Sequence, residues 1–243
     1  KDVCRAEEGQ KQYLLRSTLN GSPATFIAVY QQAGSNALEV SRNIRQLMET
    51  TASKERILGE LNVARQIQMG ILPKTFPAFP DCKALDLYAY LEPAKSVGGD
   101  LYDFFFVDDN QLCFAIGDVS GKGVPASLFM AITRTLLRAN TDKHSKVNEV
   151  IASMNNELCL ENENAMFVTL FLGILNVETG ELSFCNAGHN YPFIRNGDGK
   201  VSELKVTHGT PLGAMADVHF ESTKMQLSSG DQLIMYTDGV SEA

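Results

Sequence analysis

Tryptophan is absent from this 243-residue chain, and only four histidines occur. The five cysteines, Cys4, Cys82, Cys113, Cys159 and Cys185, are scattered, odd in number and never in C-x-x-C spacing. That pattern excludes a disulfide framework or a zinc cluster and favours a reducing compartment, so a cytoplasmic location is expected. The histidines form no close pattern, which weakens an imidazole-based metal site. No run of about 18 apolar residues exists, so no membrane span is expected. No charged-then-apolar signal segment opens the chain either. An excess of cations is also lacking: 21 Lys and Arg stand against 29 Asp and Glu, a net charge of -8. Nucleic-acid binders neutralise phosphate with cations, so nucleic acid is not the expected partner. What remains chemically is carboxylate and glycine.

Residues 1–36 receive no assignment, although Phe26–Tyr30 has the composition of a short strand and Asn20-Gly21-Ser22-Pro23 that of a turn. From Ala37 to about Gly70 proline is absent and helix formers dominate. Steps of four and three pick out Val40, Ile44, Leu47, Thr51, Lys54, Leu58 and Leu61, a broken heptad seam. Such a helix either packs one face on its own domain or forms a two-stranded coiled-coil linker. Pro73 and Pro77 end it. Three segments follow: 1–36 unassigned, 37–72 a helical linker, and 73–243 a domain.

Within 73–243, strands are expected at Ala84–Leu91, Leu101–Val107 and Gln111–Val119, with Asp108-Asp109-Asn110 as a hairpin turn. Gly123-Val124-Pro125 opens a helix with proline in its first turn. Leu128, Ile132 and Leu136 mark its expected buried face. A second helix is expected over Lys146–Leu160, with Val147, Ile151, Met154 and Leu158 inward. Strands resume at Phe167–Val177, Leu182–Asn186 and Gln232–Thr237. Strands, two adjacent helices and strands again predict an α+β fold.

Three acidic residues stand at strand ends beside glycine: Asp100 after Gly98-Gly99, Asp118 before Gly121, and Asp238 before Gly239. A carboxylate there can face a hard cation while the backbone approaches closely. Two such ions can hold a phosphoryl group. Each Asp-Gly site alone reads equally as a turn, but the recurrence at strand ends favours a site. Gly121-Lys122-Gly123-Val124-Pro125-Ala126 also fits a dinucleotide fingerprint after a strand and before a helix. Against that, the next element is another helix, and Asp118 would repel the pyrophosphate. A P-loop fails because Ile116 replaces its first glycine and Gly123 its hydroxyl residue.

Taken together, Val97-Gly-Gly-Asp-Leu-Tyr-Asp-Phe104, Ile116-Gly-Asp-Val-Ser-Gly-Lys-Gly-Val-Pro-Ala126, Asn186-Ala-Gly-His-Asn190 and Tyr236-Thr-Asp-Gly-Val-Ser-Glu-Ala243 resemble the SpoIIE/RsbU branch of the PPM serine/threonine phosphatases. Pro211-Leu212-Gly213 and the segment Ala64–Pro73 fit as well. The resemblance implies two stacked antiparallel sheets flanked by helices, an α/β/β/α sandwich, with a binuclear Mn2+ or Mg2+ centre at one end. It implies Asp118 as bridging ligand, the Val119 carbonyl as a further ligand, Asp238 as ligand of the second ion, and Asp100 as a metal-site acid. It implies hydrolysis of phosphoserine or phosphothreonine by a metal-bound hydroxide, with no phosphoenzyme. The implied partner is a phosphorylated anti-sigma-factor antagonist or similar small regulatory protein. The helix 37–72 would then carry a signal by dimerising and pressing on the helices that follow Gly123.

The family pattern has a further metal-binding Asp beyond the T-D-G motif, past Ala243, so these residues are expected to leave the second metal site short of a ligand. That motivates an alternative, a non-catalytic dimeric adaptor that keeps the fold. Lys95 or Lys122 could assist electrostatically, though each reads first as a solvated lysine. His189 reads either as a general acid or, more simply, as a structural hydrogen-bonder within its loop. Cys113 and Cys185 read as small core residues.

Overall fold

The computed structural model describes residues 17–19, 22–24, 37–93 and 95–241. It divides the chain into two units, Lys1–Glu55 and Arg56–Ala243. In the first unit β1 (Ser17–Leu19) pairs antiparallel with β2 (Ser22–Ala24). Ser22 and Pro23, read from sequence as part of a turn, therefore lie in a strand. The expected strand at Phe26–Tyr30 lies outside the described residues. Helix α1 (Ala37–Ile71) runs as the composition predicts and stops two residues before Pro73. Along its seam Val40, Ile44 and Leu61 are half-buried, whereas Leu47 and Leu58 remain 65% and 46% exposed.

The second unit continues with β3 (Leu101–Phe106), β4 (Gln111–Val119), α2 (Val124–Asn140), α3 (Val147–Cys159), β5 (Val168–Asn176) and β6 (Glu181–Ala187). Four short strands complete it: β7 (Phe193–Arg195), β8 (Val201–Glu203), β9 (Thr223–Gln226) and β10 (Gln232–Ile234). One sheet has the order β3-β4-β5-β6-β9 and the other β10-β7-β8. Every pairing between these strands is antiparallel, and α2 leads into α3 rather than into a parallel strand. A dinucleotide fold needs a parallel β-α-β unit, so that alternative is excluded.

Period-two alternation divides the large sheet between two apolar layers. On β4, Cys113, Ala115 and Val119 face a core shared with Met130 and Leu137 of α2 and with Ile151 and Met154 of α3. Leu112, Phe114 and Ile116 face the opposite layer, which also holds Leu204, Leu233 and Met235 from the region of the small sheet. Burying a side chain of leucine or phenylalanine size contributes about 1.5–3 kcal/mol.

Three expectations need correction. No strand forms over Ala84–Leu91. Its alternation is real, because Leu85, Leu87 and Ala89 pack into the layer between the sheets, but no ladder partner takes up its backbone. On α2 the inward residues are Ala126, Phe129, Met130, Thr133 and Leu137, while Leu128 and Ile132 are 61% and 52% exposed. Helix α2 carries two apolar stripes, and the one aligned with the sheet is buried. The last strand ends at Ile234, short of Thr237.

A buried ion cluster ties α2 to β3. The Asp103 side chain is fully buried, with Arg138 donating from Nε at 2.6 Å and Nη2 at 2.8 Å and with Arg134 Nε at 3.1 Å. The Arg138 guanidinium also lies 4.4 Å from the centre of the Phe105 ring. This pairing raises the pKa of Arg138 above its ordinary value.

Candidate active site

Asp100 immediately precedes β3, whose first residue Leu101 pairs with Gly117 of β4. Continuing that antiparallel register by one residue sets Asp100 opposite Asp118. Directly opposed residues project from the same face of a sheet. Asp118 pairs in turn with Thr169 of β5. The two carboxylates and the Thr169 hydroxyl thus lie side by side on three neighbouring strands, on the face turned toward the layer between the sheets. Asp100 and Asp118 are half-buried.

Gly99 makes this approach possible. A Cβ there would sit 2.7 Å from the Val119 carbonyl oxygen and 3.0 Å from the Val119 Cβ. The absent side chain lets the Gly98–Asp100 segment lie against that carbonyl.

The third acid arrives from the other sheet. After β10 the chain passes through Tyr236 and Thr237 into a single 3-10 turn at Asp238–Val240. Thr237 Oγ1 donates to Asp100 Oδ2 at 3.0 Å, which fastens this segment to the start of β3. Asp238 itself is exposed.

His189 closes the inner side. Its backbone is pinned by Asn186: His189 N donates to Asn186 Oδ1 at 2.7 Å, and Asn186 Nδ2 donates to the His189 carbonyl at 3.0 Å. The ring Nδ1 lies 2.9 Å from Thr169 Oγ1. Its Nε2 is buried without a hydrogen-bond partner among the described residues. Burial pushes the imidazole pKa down to about 4, against the opposing pull of the Tyr236 carbonyl, Asp100 and Asp238. A neutral ring beside two carboxylates is the result. The expected loop hydrogen bonds are present, and the Thr169 contact is a link that residue spacing does not reveal.

Of the remaining candidates, Lys95 and Lys122 are exposed. Cys113 and Cys185 are core residues whose thiols burial pushes up to about 12. Among the described residues no three His, Cys, Asp or Glu side chains stand close enough to cage an ion by themselves. The donor set is nevertheless all hard oxygen, carboxylates with a backbone carbonyl beside them. That chemistry suits Mg2+ or Mn2+, which bind through one or two carboxylates and keep several waters.

Two antiparallel sheets with helices and acidic residues at the strand ends define a PPM-type α+β fold. The family model for stage II sporulation protein E matches residues 108–243, and the chain belongs to that SpoIIE family. It is 37% identical over 213 residues to the protein IcfG of Synechocystis, covering 76% of this chain and 33% of that protein. It is 27% identical over 189 residues to the phosphoserine phosphatase RsbU of Bacillus subtilis, covering 78% of this chain and 55% of RsbU. The structure of the PP2C phosphatase domain and a fragment of the regulatory domain of SpoIIE from Bacillus subtilis superposes with a TM-score of 0.54 at 28% identity, covering 60% of this chain and 42% of that one. The chain spans about a third to about half the length of these curated relatives. No described helix is long and apolar enough to cross a membrane.

Proposed function

We propose that the chain is a metal-dependent protein serine/threonine phosphatase that hydrolyses a phosphorylated regulatory protein. The observation that carries this reading is the placement of Asp100 opposite Asp118, with the Thr237-Asp238 segment fastened to Asp100 from the other sheet.

Asp100, Asp118, Asp238 and the Val119 carbonyl would hold a Mn2+ or Mg2+ pair, with water completing the coordination. Bound there, the ions would neutralise charge on the phosphoryl group and acidify a coordinated water. Asp118 lies between Asp100 and Thr169 in the sheet, which supports the reading that its carboxylate would be a ligand of the pair. Thr237 holds the Asp100 carboxylate in one rotamer. The neutral His189 adds no positive charge to compete with a cation. Hydrolysis forms the bond from water oxygen to phosphorus, breaks the bond from phosphorus to the serine or threonine oxygen, and leaves a proton on that oxygen. Transfer directly to water fits the location of Cys113 and Cys185, buried and protonated away from the site.

The resemblance to RsbU supports a phosphorylated anti-sigma-factor antagonist as the substrate class and a cytoplasmic setting. The exposed Leu47 and Leu58 on α1 support a homodimeric coiled-coil linker over 37–72 that regulates the domain 73–243.

The test is phosphate release from a phosphoserine-bearing antagonist protein with manganese, with and without chelator. Asp118→Asn and Asp238→Asn should each lower turnover about 100-fold, the scale for removing a main electrostatic stabiliser. Unchanged hydrolysis in either variant refutes the assignment. A wild type that binds no divalent ion at millimolar concentration favours the adaptor.

A further inference from the structure

Gln68 sits in the last turns of α1, three residues before the helix ends, and is only 5% exposed. Most of the helix before it is solvent-facing. Its side-chain amide makes two hydrogen bonds to one residue: Nε2 donates to the Gly98 carbonyl at 2.6 Å, and Oε1 accepts from the Gly98 amide at 3.1 Å. Both polar groups of the Gly98 backbone are thus satisfied by a side chain 30 residues earlier, in the way a neighbouring strand would satisfy them. Gly98 is followed by Gly99, which rests on the Val119 carbonyl, and then by Asp100.

Two further bonds hold this end of α1. Arg65 Nη2 pairs with Glu92 Oε1 at 2.7 Å, and Tyr102 donates to the Pro73 carbonyl at 2.6 Å. Neither reaches the Gly98–Asp100 segment itself. Gln68 alone among these three touches the backbone that carries the carboxylate.

Resting on the phosphatase reading, we propose that Gln68 is a positioning residue, whose amide sets the placement of Asp100 through Gly98 and so tunes divalent-cation affinity at the site. A glycine pair has more backbone freedom than any other dipeptide, so without the clamp Gly98-Gly99 would sample conformations that carry Asp100 off the Val119 carbonyl. The clamp also requires α1 to keep its register, because a shift of one residue turns the side chain by about 100°.

Gln68→Ala removes both bonds. Gln68→Glu keeps an acceptor for the Gly98 amide but sets a carboxylate against the Gly98 carbonyl. Two readouts on the full chain decide the matter. In metal-free protein, amide exchange over residues 97–101 should quicken in Gln68→Ala while β4 and β5 keep wild-type protection. In calorimetric titration with manganese alone, affinity should fall about 10-fold or more, the scale for groups that orient metal ligands. Gln68→Glu should lie between Gln68→Ala and wild type. Saturating manganese should restore turnover in Gln68→Ala without a change in KM. Because a bound ion also rescues a merely less stable protein, the unchanged protection of β4 and β5 is what separates the clamp from a general loss of stability.

Equal exchange over 97–101, or equal manganese affinity, overturns the inference and leaves the proposed function standing. A wild type that neither binds manganese nor releases phosphate overturns both.

Discussion

Thr237 Oγ1 donates to Asp100 Oδ2 at 3.0 Å although 137 residues separate them. This bond joins the end of the small sheet to the start of the large one, at the edge of the layer between them. It brings two acidic turns, each ordinary alone, into one candidate site. Asp118 stands beside them because the β3–β4 register brings it there.

Gly99 controls how closely that site can close. Gly99→Ala would place a methyl 2.7 Å from the Val119 carbonyl, so the two segments must separate. Manganese affinity should drop about tenfold, while stability falls by about 1–3 kcal/mol, as for other overpacked positions. Calorimetric titration and chemical unfolding check the two effects separately.

His189 gives the metal-free protein a pH-dependent stability. Its folded pKa is lowered to about 4, below the unfolded value near 6.5, so the unfolded chain binds more protons between those limits. Stability contributed by the neutral ring is full above about pH 6.5 and is lost as pH falls toward about 4. The loss amounts to about 3 kcal/mol. Unfolding of chelated protein across this range, compared with His189→Gln, should show the wild type falling more steeply by that amount.

Cys113 and Cys185 should resist alkylation in native protein at pH 8. Both are fully buried, and burial holds their thiols near 12, so thiolate is scarce as well as inaccessible. Cys82 and Cys159 are partly exposed and should react first. Mass mapping after brief iodoacetamide treatment distinguishes the two pairs.

Asp103 anchors α2 on β3. Asp103→Asn leaves Arg134 and Arg138 without their carboxylate, and breaking a buried pair costs roughly 3–5 kcal/mol. Because the Arg138 side chain is 41% exposed and can turn to water, the lower end is expected. Denaturant unfolding measures it.

Much of this arrangement was legible in the residues. Strand β4 runs over Gln111–Val119 as its apolar run predicts, and Val147, Ile151, Met154 and Leu158 of α3 are all buried. Those segments satisfy one dominant periodicity. Helix α2 does not: Leu128, Ile132 and Leu136 compete with Ala126, Met130 and Leu137, and only the sheet decides between them. Thr133 passes unnoticed because its hydroxyl is satisfied by the Phe129 carbonyl, which lets it join the buried face. Strands β7, β8 and β9 have three or four residues each, too short for alternation to register.

At the candidate site, Asp100, Asp118 and Asp238 stand out in the sequence as candidates through nearby glycines. Thr169, Thr237 and Gln68 do not, since a hydroxyl or amide gains its meaning only from a partner far along the chain.

The most direct measurement is a calorimetric titration of manganese into the wild-type chain and into Asp118→Asn. The strand-end carboxylates as a divalent-cation site predict saturable binding in the wild type and at least about tenfold weaker binding in the variant. Identical isotherms for the two proteins would contradict it.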